Sequence, residues 1–161
     1  MEVTIREADA GDATGLEILR GQAIKATYQD EYDRTTVGDL VATVDADLSP
    51  WIDHDRYLVV VAETEITPVS YAVLDREEGE LLSIVTSPDY RREGFASQLL
   101  KRVESAARED GHEMLDAVAP EPATDFFETV GFDRVEETAW HDIVAARLRK
   151  ALPGPETESS K

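Results

Sequence analysis

Hydrophobic and polar positions change period several times along this chain, and each change marks an element. Val3, Ile5 and Ala8, with Thr4 and Arg6 on the opposite face, predict a short strand. Asp9 or Asp12 then caps a helix whose Leu16, Leu19, Ala23 and Ile24 form a one-sided apolar stripe flanked by Ile18. Tyr28 to Thr36 is polar and aromatic and reads as a loop. Leu40, Val41, Val44 and Leu48 predict a second helix over Asp39 to Leu48, ended by Ser49-Pro50. Tyr57 to Ala62 is a continuous apolar run, the pattern of a strand buried on both faces. Val69 to Leu74 and Leu81 to Thr86 predict two more strands, separated by the charged stretch Asp75 to Gly79. Gly94 to Asp110 is amphipathic: Phe95, Leu99, Leu100, Val103, Ala106 and Ala107 share one face, and Gly111 stops the helix. Met114 to Ala119 is a strand, Pro120 to Val130 a short helix, and Phe132 to Thr138 and Asp142 to Leu148 two closing strands.

The predicted order is strand, two helices, three strands, helix, strand, helix, two strands. The strand–helix–strand unit in the middle requires one parallel pair with a right-handed crossover. Residues 1–150 read as a single domain. Ala151 to Lys161, with two Pro, one Gly and two Ser, reads as a flexible tail.

Charge narrows the possible partners. Asp and Glu total 35 against 16 Lys and Arg, a formal net charge of −19. Nucleic acid needs a basic footprint that this chain lacks. The acids are spread along the whole length, and only Lys25, Lys101, Lys150 and Lys161 are lysines. Such a surface either steers a cationic substrate or keeps the protein soluble in concentrated salt, and composition favours the second. The absence of Cys removes disulfides, thiolate metal sites and a Cys nucleophile. His54, His112 and His141 have no metal spacing. No apolar run approaches the roughly 18 residues of a membrane span. The N-terminus enters an alternating pattern at once, so a cytoplasmic protein without a signal peptide is expected.

One stretch carries candidate chemistry. After the strand ending at Thr86 comes Ser87-Pro88-Asp89-Tyr90-Arg91-Arg92-Glu93-Gly94-Phe95-Ala96, then the amphipathic helix. A helix N-terminus offers unpaired N–H groups and a positive dipole end, and small residues let a ligand approach the backbone, so phosphate is the natural guest. Arg91, Arg92, Lys101 and Arg102 reverse the local charge. The turn is neither a three-glycine dinucleotide fingerprint nor a P-loop, which disfavours a nucleotide-binding oxidoreductase.

This turn resembles the pyrophosphate motif Arg/Gln-x-x-Gly-x-Gly/Ala of the GNAT superfamily of N-acetyltransferases. Ala123-Thr124-Asp125-Phe126-Phe127-Glu128-Thr129-Val130-Gly131-Phe132 resembles the family's Ala-x-x-Phe-Tyr-Glu-x-x-Gly-Phe segment. The acid-rich, Lys-poor composition resembles that of proteins from halophilic archaea. The resemblance implies an α/β (α+β) fold: a mixed, mostly antiparallel sheet of six to seven strands, about four helices and a central parallel strand pair. It implies acetyl-CoA as cosubstrate and no metal. Backbone groups of Ile84, Val85 and Thr86 would pair with the pantetheine arm. Amides of Arg92, Glu93, Gly94, Phe95, Ala96 and Ser97 would cradle the pyrophosphate, with Arg91 at the Arg/Gln position. A primary amine of a small molecule or protein would approach from the first two helices and the Tyr28–Thr36 loop, and would attack the thioester directly. A homodimer is the family's common assembly.

Two departures matter. The Tyr that commonly protonates the thiolate aligns with Phe127, which also lies at the cofactor, and an Asn that contacts CoA aligns with Pro120. For the base that must deprotonate the amine, the candidates are Glu80 and Asp116. Each is also one acid among 35. Tyr28, Tyr32, Trp51, Tyr71 and His141 beside Trp140 are candidate linings of an acceptor pocket, against the simpler reading of packing. An active N-acetyltransferase is the leading expectation. A catalytically weak acyl-CoA-binding module is the alternative that Phe127 favours.

Overall fold

The computed structural model describes residues 3–43, 48–91, 93–140 and 143–152. The expectations for Val44, Arg92, His141, Asp142 and the tail from residue 153 fall outside these. Within the described residues seven strands form one sheet: β1 (Thr4–Glu7), β2 (Tyr57–Glu63), β3 (Pro68–Asp75), β4 (Glu80–Thr86), β5 (Met114–Pro120), β6 (Asp133–Trp140) and β7 (Ile143–Ala151), in the order β1-β2-β3-β4-β5-β7-β6. All neighbouring pairs are antiparallel except β4 and β5. This is the expected mixed sheet, with the parallel pair at its centre.

Among the described residues five helices cover it: α1 (Ala13–Tyr28), α2 (Arg34–Thr43), α3 (Ser49–Ile52), α4 (Phe95–Glu109) and α5 (Thr124–Thr129). The continuous apolar runs of β2 and β3 are explained by burial on both faces. Val60, Ala62, Ala72 and Leu74 join Leu99, Leu100 and Val103 of α4 and Phe127 of α5 in one core. Their sequence neighbours Val59, Val61, Tyr71 and Val73 join Leu16 and Leu19 of α1 in a second core on the other face. A third cluster ties Ile24 and Tyr28 of α1 and Val37 and Leu40 of α2 to Trp140 and Ile143 at the tip of the β6–β7 hairpin.

The structure moves several predicted boundaries. Asp9 caps a 3-10 turn, Ala10–Asp12, in a capping box with Asp12, and α1 follows it. The Tyr28–Thr36 loop shrinks to residues 29–33. Tyr28 closes α1, and the Asp33 side chain accepts the Thr36 amide at 2.7 Å, which starts α2 earlier than hydrophobic spacing alone indicated. Ser49-Pro50 opens α3, since a Pro in the first turn gives up an N–H that had no partner anyway. The helix predicted from Pro120 is a 3-10 turn, Glu121–Ala123, followed by α5, with Pro120 ending β5. Ala151 still pairs with Met114, and Leu152 is buried, so β7 and its packing extend past residue 150.

Candidate active site

The central pair holds only at its start. Glu80 lies opposite Asp116 and Leu81 opposite Ala117, and residues 82–86 of β4 have no further partner on the β5 side among the described residues. One cause is visible on the other edge of β4. Pairing with β3 steps from Val73–Ser83 to Leu74–Leu81, so Leu82 is an extra residue, a bulge that bends β4. The free edge runs for roughly 17 Å, taking about 3.3 Å per residue.

A cavity of about 650 Å³ opens along this edge. Ile84, Val85 and Thr86 all line it. Ile84 packs toward the α4 core and Val85 toward the α1 core, so the cavity meets the strand at its edge, where backbone N–H and C=O groups point. At one end stand Arg91, Gly94, Phe95, Ala96 and Ser97. Gly94 caps α4 with φ +86°, and its carbonyl accepts the Gln98 amide at 3.1 Å. The amides of Phe95, Ala96 and Ser97 lie ahead of that first helical bond and point off the helix end. A Cβ at Gly94 would meet nothing within 4 Å, so the backbone there is open to a ligand. The Arg91 guanidinium donates to Thr27 Oγ1 of α1 at 2.6 Å across the mouth. The opposite walls come from Ala23, Ile24, Thr27 and Tyr28 of α1 and from Pro122 to Val130 around α5, Phe127 included.

The structure therefore brings together the predicted residues Ile84, Val85, Thr86, Arg91, Gly94, Phe95, Ala96, Ser97 and Phe127. Glu93 is exposed beside them and does not line the cavity. Arg92 lies outside the described residues. Of the basic run, Arg91 alone among the described residues reaches the cavity; Arg102 sits 4.0 Å from Glu7 and Lys101 is exposed.

Glu80 and Asp116 are brought opposite each other at the point where the strands part. Leu81 and Ala117 belong to the α4 core, so these carboxylates take the other face, the one shared with α1. Neither lines the cavity itself. Asp116 is held in a two-pronged ion pair with Arg149, at 2.7 and 3.2 Å. Half-buried Glu80 lies in the fields of Arg147, Asp75, Asp116 and Glu78; desolvation outweighs the pull of Arg147 and raises its pKa above the ordinary glutamate value.

The aromatic candidates separate. Tyr71 is fully buried in the α1-side core, and Trp51 packs on Tyr57 with ring centroids 6.4 Å apart. Tyr28 lines the cavity, leaning on Tyr32 at 5.7 Å and Trp140 at 6.4 Å. His112 bonds the Arg76 carbonyl at 2.6 Å, and His54 accepts the Arg56 amide at 3.1 Å. On the α1 wall sequence reasoning named Tyr28 as a pocket candidate and missed Ala23, Ile24 and Thr27. The adjacent pairs Ala23–Ile24 and Thr27–Tyr28 repeat at a spacing of four and so share one stripe of the helix, which could have signalled it, but the same stripe reads equally as core.

Residues 24–146 match the family model described as Acetyltransferase (GNAT) domain. The chain belongs to the GNAT acetyltransferase family. Solved structures with the same fold agree. The GNAT domain superposes with a TM-score of 0.84 on a GCN5-related N-acetyltransferase structure from Rhodopseudomonas palustris, at 18% identity over 94% of this chain and 97% of the other. It superposes at 0.82 on the PaiA N-acetyltransferase of Thermoplasma acidophilum in complex with coenzyme A, at 18% identity over 94% and 99%. A third likeness, TM-score 0.67 and 18% identity over 95% of each chain, is to YncA of Salmonella typhimurium with acetyl-CoA. No curated protein sequence matches this GNAT domain. Among its described residues there is no group of three His, Cys, Asp or Glu placed to hold a metal, and no helix long and apolar enough to cross a membrane.

Proposed function

We propose that this protein transfers the acetyl group of acetyl-CoA to a primary amine of a small molecule or protein, in the cytoplasm and in concentrated salt. The observation that carries the reading is the parting of β4 from β5 beside the open N-terminus of α4, which makes one continuous cavity from Gly94 to Phe127. The amides from Gly94 to Ser97 and the Arg91 side chain suit a diphosphate. The free edge of residues 84–86 suits an amide-bearing arm, because two extended backbones pair by the same groups.

The acceptor enters from the α1 face. At neutral pH an alkylamine is an ammonium, so a base must take a proton before nitrogen can attack the thioester carbonyl. We assign this to Glu80, acting through water. It lies on the acceptor face, and burial biases it toward holding a proton. Asp116 is less suited, since Arg149 occupies both of its oxygens. Attack forms C–N, the C–S bond breaks, and CoA leaves as a thiol.

A second reading, an acyl-CoA-binding module of low activity, is favoured by Phe127, which has no proton to give. Calorimetric titration with acetyl-CoA, followed by thiol-release assays on alkylamines, diamines and peptide amines in concentrated KCl, separates the two. Binding with turnover on one amine class supports the transferase. Binding without turnover on any supports the module, and no binding sinks both.

A further inference from the structure

A thiolate leaving in an apolar cavity needs a proton, and the cavity itself limits what can give one. Its hydroxyl-bearing walls are Thr27, Tyr28, Thr86, Tyr90, Ser97 and Thr129. Thr27 is engaged by Arg91 at 2.6 Å, Thr86 by Ser70 at 2.9 Å, and Thr129 donates to the Asp125 carbonyl at 2.8 Å. Ser97 is an aliphatic alcohol, a far weaker acid than a phenol. Tyr90 sits on the Arg91 turn and packs on Phe95 at 6.3 Å, at the phosphate end. Tyr28 remains. It is one residue, or about 100°, round α1 from Thr27, so it turns from the Arg91 side toward Trp140 and the hairpin tip.

We propose that the Tyr28 hydroxyl donates the proton to the departing CoA sulfur, a positioned acid supplied by α1 where Phe127 supplies none from α5. The proposal rests on the transferase reading above. Tyr28 is on α1 and Phe127 on α5, helices that pack on opposite faces of the sheet, yet both line the same cavity, so the free edge of β4 runs between them. Tyr32 and Trp140 brace the Tyr28 ring. The side chain is 7% exposed, and desolvation raises its pKa, so it keeps its proton until negative charge develops beside it. The same low-polarity surroundings raise the thiolate's affinity for a proton. The step balances: the ammonium gives one proton to Glu80 and water, which pass it to solvent; nitrogen then gains the carbonyl carbon and releases its second proton as the amide forms. The C–S pair goes to sulfur, sulfur takes the Tyr28 proton, and the tyrosinate regains a proton through water from that second release.

The test is Tyr28→Phe, with the double variant Tyr28→Phe/Phe127→Tyr. The expected result is a fall in kcat of about 10²-fold for Tyr28→Phe, at the lower end of what a positioned acid contributes. Acetyl-CoA affinity and melting temperature should stay near wild type, because only one oxygen is removed. The double variant should regain most of the turnover, since it places a phenol on the facing wall. Undiminished turnover in Tyr28→Phe overturns the assignment, as does a loss that Phe127→Tyr does not repair. A wild type that binds acetyl-CoA but turns over no amine removes the transferase reading and this assignment with it, whereas a wild-type enzyme with an unaffected Tyr28→Phe removes the assignment alone.

Discussion

The cavity has two kinds of wall. One is contiguous: it runs from the free strand edge at Ile84 through the Arg91 turn into the first turn of α4, and the groups it leaves open there are backbone ones. The other is assembled: α1 and α5 come from distant parts of the chain and present side chains. Ile84, Val85 and Phe95 of the contiguous wall pack into the cores, but at its turn it has little of its own to pack, as Gly94 with open space above it shows. The assembled wall is also hydrophobic core. Phe127, 6% exposed, meets Phe126 and Phe132 edge-on at 5.2 and 5.3 Å. Changes in the first wall should therefore alter binding at little cost in stability, and changes in the second should cost stability first.

The largest effect is expected at Phe127→Ala, which removes a buried ring and leaves a void. Unfolding free energy should drop by about 3–5 kcal/mol, read from denaturant titration. Gly94→Glu comes next. Its carboxylate would face the phosphate position, and acetyl-CoA should bind at least about 10²-fold more weakly by calorimetry, about 2.8 kcal/mol. The left-handed φ adds only about 1 kcal/mol of strain to the fold. Undiminished affinity there would remove the contrast between the walls.

Glu80→Gln lies on neither wall and sharpens the comparison by separating chemistry from binding. kcat should fall about 10²-fold with acetyl-CoA affinity unchanged. The acidic limb of the wild-type rate profile should lie above the ordinary glutamate range and vanish in the variant. The stability sign is opposite to that of an ion-paired acid. With the folded pKa raised, the unfolded chain releases this proton first, so stability is lost as pH rises from the ordinary value through the folded one, and the variant should flatten that slope. The smallest effect is expected at Thr27→Val. It frees Arg91 without touching the turn, and acetyl-CoA affinity should stay within about threefold.

What the sequence made legible follows the same division. The buried runs at Tyr57 and Val69, the amphipathic Phe95–Glu109 and the glycine at the turn are local patterns, and they lead directly to the sheet, to α4 and to the contiguous wall. On the α1 wall Tyr28 was legible as a pocket residue, whereas Ala23 and Ile24 were hidden because they satisfy the helical apolar stripe whether they face core or cavity. The bulge at Leu82 is a product of register between β3 and β4, and the early end of the β4–β5 pairing of register between strands far apart in sequence, so no single segment encodes them. Arg102 pairs with Glu7 rather than facing the turn because α4 carries it toward β1, a placement that charge counting along the chain does not see.

The free edge of β4 has one further consequence. An unpaired strand at the rim of a sheet invites other chains to add to it, and proteins blunt such rims with charge, twist or a covering helix. Here the unpaired edge lies in the middle of the sheet, between α1 and α5. The domain thus keeps a stretch of strand-pairing chemistry inside a cavity walled by its own helices rather than along its rim.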